Sequence, residues 1–325
     1  MRVLITGAAG FLGSHLSRAL LSRGHRVVGV DNFCTSDPSS LADLRPLDHF
    51  ELIEGDVSRQ PRLEGRFDAI AHLACPASPP DYLRLPLETL AVGSYGSELV
   101  LELARASGCR VVLASTSEIY GDPERSPQAE EYWGNVNPIG PRSVYDEAKR
   151  YAEALFMAYR RTYGLGTGIV RIFNTYGPGL RPHDGRVVSN FIDQALRGED
   201  LTVYGDGSQT RSFCYVDDLI RGLLAMLDAD EPGPVNLGNP NEITVLELAA
   251  TVLRLTGSAA EVVHRPAPED DPRQRRPDIG RAERLLAWSP TIDLEEGLRR
   301  TIAWQRELMA AQTAEGAELE GVVNG

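Results

Sequence analysis

The sequence predicts an α/β fold, a doubly wound parallel sheet with a smaller C-terminal domain, on three observations. Its apolar runs are short, β-branched and non-alternating, as strands covered on both faces are. Helical stretches separate those runs. A glycine cluster stands at the first strand-to-helix junction. Length agrees, since 325 residues suffice for about two domains with a core that needs no covalent staples.

Val3-Leu4-Ile5 is the first strand, and Gly7, Gly10 and Gly13 follow it in Gly-x-x-Gly-x-x-Gly spacing. Phe11 to Ser22 reads as the first helix, closed by Gly24. Val27-Val28-Gly29-Val30, Leu52-Ile53 and Ala69-Ile70-Ala71 are the next strands, and Leu87 to Ala106 is a helix closed by Gly108. Val111-Val112-Leu113 is a further strand, and Tyr145 to Tyr163 a helix. After about Ile172 the chain breaks into short elements between Gly177-Pro178-Gly179, Gly205-Asp206-Gly207, Pro232-Gly233-Pro234 and Pro266-Ala267-Pro268. The first domain is therefore expected over 1–172, with 212–238 packing back on it, and the second over 173–211 and 239–312. Val216 to Leu227, Val245 to Leu255 with Thr244 as N-cap, and Leu294 to Met309 read as helices. Residues 313–325 are small and acidic, and are expected to form a flexible tail.

Composition excludes several classes. There are 33 Lys plus Arg against 46 Asp plus Glu, a net charge of −13, which argues against a nucleic-acid partner. No apolar run approaches the roughly 18 residues of a membrane span, and Met1 leads straight into a strand, so a cytoplasmic protein without a membrane partner is expected. Cys34, Cys75, Cys109 and Cys214 lack Cys-x-x-Cys spacing and the six histidines form no His-x-x-x-His pair, which predicts reduced thiols and no metal.

The glycine loop lets the backbone approach a pyrophosphate resting on a helix N-terminus, which points to a dinucleotide. Asp31, ending the second strand, can accept the adenosine ribose hydroxyls and repel a 2′-phosphate, which favours NAD over NADP. Asp56 suits either the adenine edge or the cap of a turn. Lys149 is the only lysine in the chain, so chemistry that a guanidinium cannot perform is expected there. It lies four residues after Tyr145, on the same helix face. A free phenol has a pKa of about 10, and a neighbouring ammonium together with an oxidised nicotinamide would favour its phenolate as a base.

From Arg2 to about Met309 the chain resembles the extended short-chain dehydrogenase/reductase family, with its Rossmann-type sheet. Finer blocks are similar to the UDP-glucuronic acid decarboxylase (UDP-xylose synthase) family: His72-Leu73-Ala74-Cys75-Pro76-Ala77-Ser78-Pro79-Pro80, Ala114 to Pro123, Asn137-Pro138-Ile139-Gly140-Pro141-Arg142, Asp184 to Phe191, and Asp271 to Asp278. The resemblance implies NAD bound by Gly7, Gly10, Phe11, Leu12, Gly13, Asp31, Asn32, Phe33, Asp56, Val57, Leu73, Ala74, Tyr145 and Lys149. It makes Tyr145 the base at the sugar 4-hydroxyl, supported by Lys149, with Thr116, Ser117 and Glu118 lining the sugar. Pro76, Tyr82, Asn174, Arg186, Ser189, Tyr204, Gln209, Arg211 and Arg275 are implied around the nucleotide sugar, and an arginine fork at Arg275 suits a phosphate or a uronate carboxylate. It also implies a homodimer built on the helices Leu87 to Ala106 and Tyr145 to Tyr163. One departure stands out: Ala91-Val92-Gly93 occupies the place of a common Lys-Thr-Asn run, which removes any polar contact from there.

The activity so implied is oxidation of UDP-glucuronic acid at carbon 4, loss of carbon dioxide from the 4-keto sugar, protonation at carbon 5 through water held by Glu118, and reduction to UDP-xylose, NAD being recycled. A 4,6-dehydratase carries Asp-Glu where this chain has Ser117-Glu118, and a 4-epimerase generally lacks the carboxylate at that position. A regulatory protein that only binds NAD(H) would need neither Glu118 nor the Tyr145/Lys149 pair.

Overall fold

A computed structural model of the chain describes residues 1–182, 184–267 and 272–323, the stretch from 314 by its backbone path alone. Pro268 and Asp271 of the motifs above lie outside the described residues. Seven parallel strands make the central sheet. They are β1 (Arg2–Thr6), β2 (Arg26–Asp31), β3 (Phe50–Glu54), β4 (Ala69–His72), β5 (Arg110–Thr116), β6 (Thr167–Ile172) and a later strand, Val235–Leu237, which pairs with β6. From the edge at Val235–Leu237 the order runs β6-β5-β4-β1-β2-β3. The order reverses between β1 and β4, with Val3 paired to Val27 on one side and to Ala69 on the other. Open α/β sheets bind ligands at such a switch point.

The pleat explains why the strands read as unbroken apolar runs. Val3, Ile5, Val27, Val112 and Val170 face one layer of helices, while Leu4, Val28, Val30, Ile70, Val111, Leu113 and Ile169 face the other. The first layer includes α1 (Phe11–Ser22), through Leu16 and Leu20. The second holds the helical run after β4 and the helix Ser143–Tyr163, through Val100, Leu101, Ala152 and Phe156.

The run expected as one helix from Leu87 is built differently. Two short helices, α2 (Pro79–Arg84) and α3 (Pro86–Ala91), precede a π turn at Val92–Gly96 that leads into α4 (Ser97–Ser107). Gly93 passes so close to the next helix, α5 (Ser143–Tyr163), that a Cβ there would stand 2.7 Å from that of Ala148. The departure noted above therefore sits where two helices touch.

The remaining elements are β7 (Thr175–Tyr176), α6 (Val187–Arg197), β8 (Leu201–Tyr204), β9 (Thr210–Ser212), β10 (Cys214–Tyr215), α7 (Val216–Asp228), β11 (the Val235–Leu237 edge strand), β12 (Glu242–Thr244), α8 (Val245–Thr256), β13 (Val262–Arg265), β14 (Gln274–Arg275), α9 (Gly280–Leu286) and α10 (Leu294–Val323). Thr244 caps α8 in a reciprocal capping box with Glu247. α10 continues helical to Val323, through most of the segment expected to be a flexible tail. β9 pairs antiparallel with β12 and parallel with β14, setting Arg211 beside Arg275.

Candidate active site

The cofactor half of the site is built on the β1–α1 junction. Gly7 adopts φ +72°, its N–H donates to Val30 O at 2.8 Å, and a Cβ on it would meet the backbone of Ala74 at 2.8 Å. At Gly13 a Cβ would stand 2.0 Å from Gly7 O, so helix and loop touch through hydrogen alone. Gly10 caps α1 without a side-chain hydrogen bond, and no acidic residue occupies the first turn, where Phe11 and Leu12 lie. Those free N–H groups and the absence of competing charge fit a pyrophosphate. Leu73 and Ala74 donate their N–H groups to Thr6 O and Oγ1 at 3.2 and 3.3 Å, fixing the opposite wall.

Asp31 is buried and organises its own loop. Its Oδ2 accepts from Ala9 N at 2.9 Å, and its Oδ1 from Phe33 N and Ser36 Oγ, each at 2.9 Å. A carboxylate offers about four acceptor positions, so one is left for a ribose hydroxyl. Phe33 sits at φ +55°, and Asn32 accepts from Cys34 N at 3.1 Å. Asp56 caps a turn with one oxygen, its Oδ1 accepting from Ser58 N at 2.9 Å and Ser58 Oγ at 2.7 Å, ahead of buried Val57.

Tyr145 and Lys149 share the inner face of α5, and both are buried. Lys149 donates to Ala114 O at 2.8 Å, and its Nζ is 5.9 Å from the Tyr145 ring centre. Beside it His72 bonds Thr6 Oγ1 at 2.7 Å and is pushed down to about 3, by burial first and then by the Lys149 charge, so it stays neutral. Burial pushes the Tyr145 phenol well above its usual range; the groups that draw it back are the Thr116 hydroxyl, through a hydrogen bond, and the Arg186 charge. Tyr82, buried in α2, stacks on Tyr145 at 5.2 Å between centres and 9° between planes. Pro76 is buried in the loop between β4 and α2.

Just past β5, Thr116 Oγ1 accepts from Glu118 N at 3.2 Å and caps the turn Ser117–Tyr120, in which Ser117 is buried. Glu118 is not a free surface carboxylate. One of its oxygens, Oε2, accepts from Arg142 at 2.6 Å and from Arg275 at 3.1 Å. Burial acts to raise its pKa, but the charges of Arg275, Arg142 and Arg211 prevail and hold it at about 2. Arg275 is 1% exposed and gives its other arm to Gly121 O at 2.8 Å. In this structure both arms of its guanidinium are engaged by protein oxygens, Glu118 Oε2 and Gly121 O.

Sequence reasoning missed Arg142 and Asp146. Arg142 holds Glu118 with its guanidinium while its carbonyl accepts from Tyr145 N and Asp146 N at 3.0 and 3.2 Å. The signal available was its place three residues before Tyr145, at the start of an amphipathic helix. Asp146 is buried beside this cluster.

Arg186 donates to Ala77 O at 3.0 Å and to Asp184 at 2.9 Å, tying the α6 entrance to the loop after β4, and Ser189 Oγ donates to Arg186 O at 2.9 Å. Asn174 O accepts from Cys214 N at 2.9 Å. Tyr204 ends β8 and Gln209 immediately precedes β9, joined by Gln209 Nε2 to Tyr204 O at 2.7 Å. Among the described residues no group of three or more His, Cys, Asp or Glu side chains could hold a metal ion.

A dinucleotide loop at the switch point and a Tyr-x-x-x-Lys helix define a class: residues 3–238 match the NAD dependent epimerase/dehydratase family, and the chain belongs to it. Within that family it is 50% identical over 311 residues to UDP-glucuronic acid decarboxylase 1 of Xenopus tropicalis, covering 96% of this chain and 73% of that one. It is 50% identical over 303 residues to UDP-glucuronic acid decarboxylase 1 of Arabidopsis thaliana, covering 93% and 69%. Among solved structures it is similar to UDP-glucuronic acid 4-epimerase from Bacillus cereus in complex with UDP-glucuronic acid and NAD, with TM-score 0.84 and 30% identity over 95% of this chain and all of that one.

Proposed function

We propose that the protein converts UDP-glucuronic acid to UDP-xylose and carbon dioxide, in an NAD-dependent reaction through a 4-keto sugar. The observation that carries this reading is Glu118, a carboxylate fixed by Arg142 and Arg275 beside the Tyr145/Lys149 pair. Arg142, Arg186, Arg211 and Arg275 bear electrostatically on Tyr145 or Glu118, so a chain of net charge −13 concentrates positive charge where a uronate and a diphosphate would lie.

NAD, when bound, supplies the hydride acceptor at carbon 4 and the donor that restores the alcohol. Tyr145 takes the proton of the 4-hydroxyl as carbon 4 is oxidised and later returns it. Lys149, held on Ala114 O, keeps a positive charge near the phenol. The ketone places the sugar carboxylate β to a carbonyl, so the electron pair of the breaking bond is accepted as an enolate. Arg142 and Arg275 fix Glu118 as an anion at this stage, and the buried stack of Tyr82 on Tyr145 excludes water from the base.

Incubating the protein with UDP-glucuronic acid tests the reading. Released carbon dioxide and UDP-xylose are expected; a 4-epimerase would give UDP-galacturonic acid, and a binding protein would give nothing. A homodimer belongs to the same proposal, supported by exposed Leu87, Leu90, Tyr95, Tyr151 and Tyr163 on or beside α3, α4 and α5. A reducing, cytoplasmic setting is supported by four free cysteines.

A further inference from the structure

Glu118 and Arg275 meet across the site, yet neither sits on a long element at the point of contact. Glu118 lies in the short turn Ser117–Tyr120, and Arg275 ends β14, a strand of two residues. The β9–β14 register brings Arg275 to this region. A buried amide then joins the two segments.

Asn236 is the middle residue of β11 and is fully buried. Val235 and Leu237 pack in the apolar core, so the alternation of the strand turns Asn236 to the opposite face. There its side chain is saturated. Oδ1 accepts from Tyr120 Oη at 2.8 Å, and Nδ2 donates to Gln128 O at 2.9 Å and to Asp278 O at 3.0 Å. Its backbone N–H donates to Glu130 Oε1 at 2.8 Å. The orientation of the amide is forced: Arg171 Nη1 donates to Tyr120 Oη at 3.0 Å, which directs the hydroxyl proton at Asn236 Oδ1 and leaves Nδ2 for two carbonyls, which can only accept.

The partners of this amide flank the Glu118–Arg275 pair. Tyr120 closes the turn that carries Glu118, and Gly121 after it supplies the carbonyl that Arg275 Nη1 binds at 2.8 Å. Asp278 lies three residues beyond Arg275. Gln128 is locked to the same stretch: its N–H donates to Arg276 O at 2.8 Å, its Oε1 accepts from Arg276 N at 2.8 Å, and its O accepts from Asp278 N at 2.9 Å.

We propose that Asn236 is a positioning residue for the decarboxylation step, its amide fixing the Arg275 segment against the turn that carries Glu118. This rests on the decarboxylation reading above. Asn236 is fully buried and has no surface to offer a sugar, so it acts through the Glu118–Arg275 pair. The oxidation half of the site is built elsewhere, since Tyr145 and Lys149 lie on α5 and Lys149 is held by Ala114 O, none of them a partner of the amide.

The test mixes the NAD-loaded protein with UDP-glucuronic acid in a single turnover. Reduced-nicotinamide absorbance follows oxidation at carbon 4, and carbon dioxide follows the next step. Asn236→Asp keeps the shape but sets an acceptor against the carbonyls of Gln128 and Asp278. Absorbance should rise within about twofold of the wild-type rate while carbon dioxide release slows about 100-fold, the scale of a misplacement of about 1 Å, so that reduced cofactor accumulates. Tyr120→Phe removes one of the amide's bonds and little volume, and should slow carbon dioxide release about tenfold with the same split. Asn236→Asp combined with Arg275→Met should release carbon dioxide within about twofold of Arg275→Met alone, because no pair is left to align. The proposal is overturned if oxidation and carbon dioxide release fall together, as a role in the fold alone would require, if both keep wild-type rates, or if the Asn236 and Arg275 losses multiply. Tyr120→Phe decides the matter by itself if Asn236→Asp fails to fold. Absence of carbon dioxide from the wild-type protein would instead refute the decarboxylation reading, and the role of Asn236 with it.

Discussion

Arg142 is where the carboxylate cluster can be cut most cleanly. Arg142→Met keeps much of the aliphatic stem and removes the 2.6 Å charge-assisted bond to Glu118. Glu118 would still have Arg275 at 3.1 Å, so it is not stranded, and the cost is one charge-assisted hydrogen bond, about 1.5–3 kcal/mol, below the roughly 3–5 kcal/mol of an unpaired buried ion. The contacts of Arg142 O to the Tyr145 and Asp146 N–H groups are backbone and survive the substitution. If Glu118 must be held as an oriented anion while carbon dioxide departs, the loss falls on the transition state and kcat drops by about 10- to 150-fold. Steady-state carbon dioxide release at saturating UDP-glucuronic acid measures it, with UDP affinity by calorimetry as the control. A kcat within about twofold of wild type would refute the reasoning, and so would a loss of UDP affinity equal to the loss of kcat.

Lys149→Arg should cost about 100-fold or more in turnover despite the retained charge, because a planar guanidinium does not fit the buried position that donates to Ala114 O; a stopped-flow measurement of the oxidation step checks it. Asp146 also has a stability signature. Its folded pKa of about 7 lies above the unfolded value of 3.8, so its contribution is fully present below about pH 4 and is lost as pH rises through 7. Asp146→Asn should therefore gain stability relative to wild type on going from pH 4 to pH 8, by up to about 4 kcal/mol. Urea unfolding at the two pH values reports the difference, and equal midpoint shifts at both would contradict the buried acid.

The sheet was legible because burial on both faces imposes one chemistry on whole strands, and Val3 to Ile5 could scarcely be anything else. Tyr145 and Lys149 were legible for a different reason: a four-residue step on a helix fixes a shared face without knowledge of anything else in the fold. The Gly7-Gly10-Gly13 loop was legible because close backbone approach excludes every larger side chain. What sequence could not show is pairing across long separations. Arg275 lies 157 positions from Glu118, and only the β9–β14 register carries it there. Asp56 was ambiguous by nature, since a capping Asp and a ligand-binding Asp look alike in sequence, and the contact of Ser58 with its Oδ1 shows the cap alone. The π turn at Val92–Gly96 was hidden because it depends on the fit of Gly93 against Ala148, a tertiary contact and not a local preference.

That long-range pairing has a consequence of its own. Glu118 and Arg142 belong to the segments around β5 and α5, whereas Arg275 comes from β14, so a single oxygen, Glu118 Oε2, joins an arginine from each side. Two donors on one acceptor cannot contribute independently: with either arginine gone the other still neutralises the carboxylate, and with both gone a buried anion is left facing Asp146, a second acid. Arg142→Met and Arg275→Met should therefore each cost about 1.5–3 kcal/mol in the transition state, while the double variant should exceed their sum by about 1–3 kcal/mol. Losing Arg275 additionally frees Gly121 O, so that single variant should also unfold at lower urea than Arg142→Met. A double-mutant cycle on kcat and on the unfolding midpoint measures the coupling. Additive losses would mean that the two guanidiniums do not share Glu118 in the working enzyme, and the anion would then have to be held by some other group, Arg211 being the further arginine whose charge bears on it.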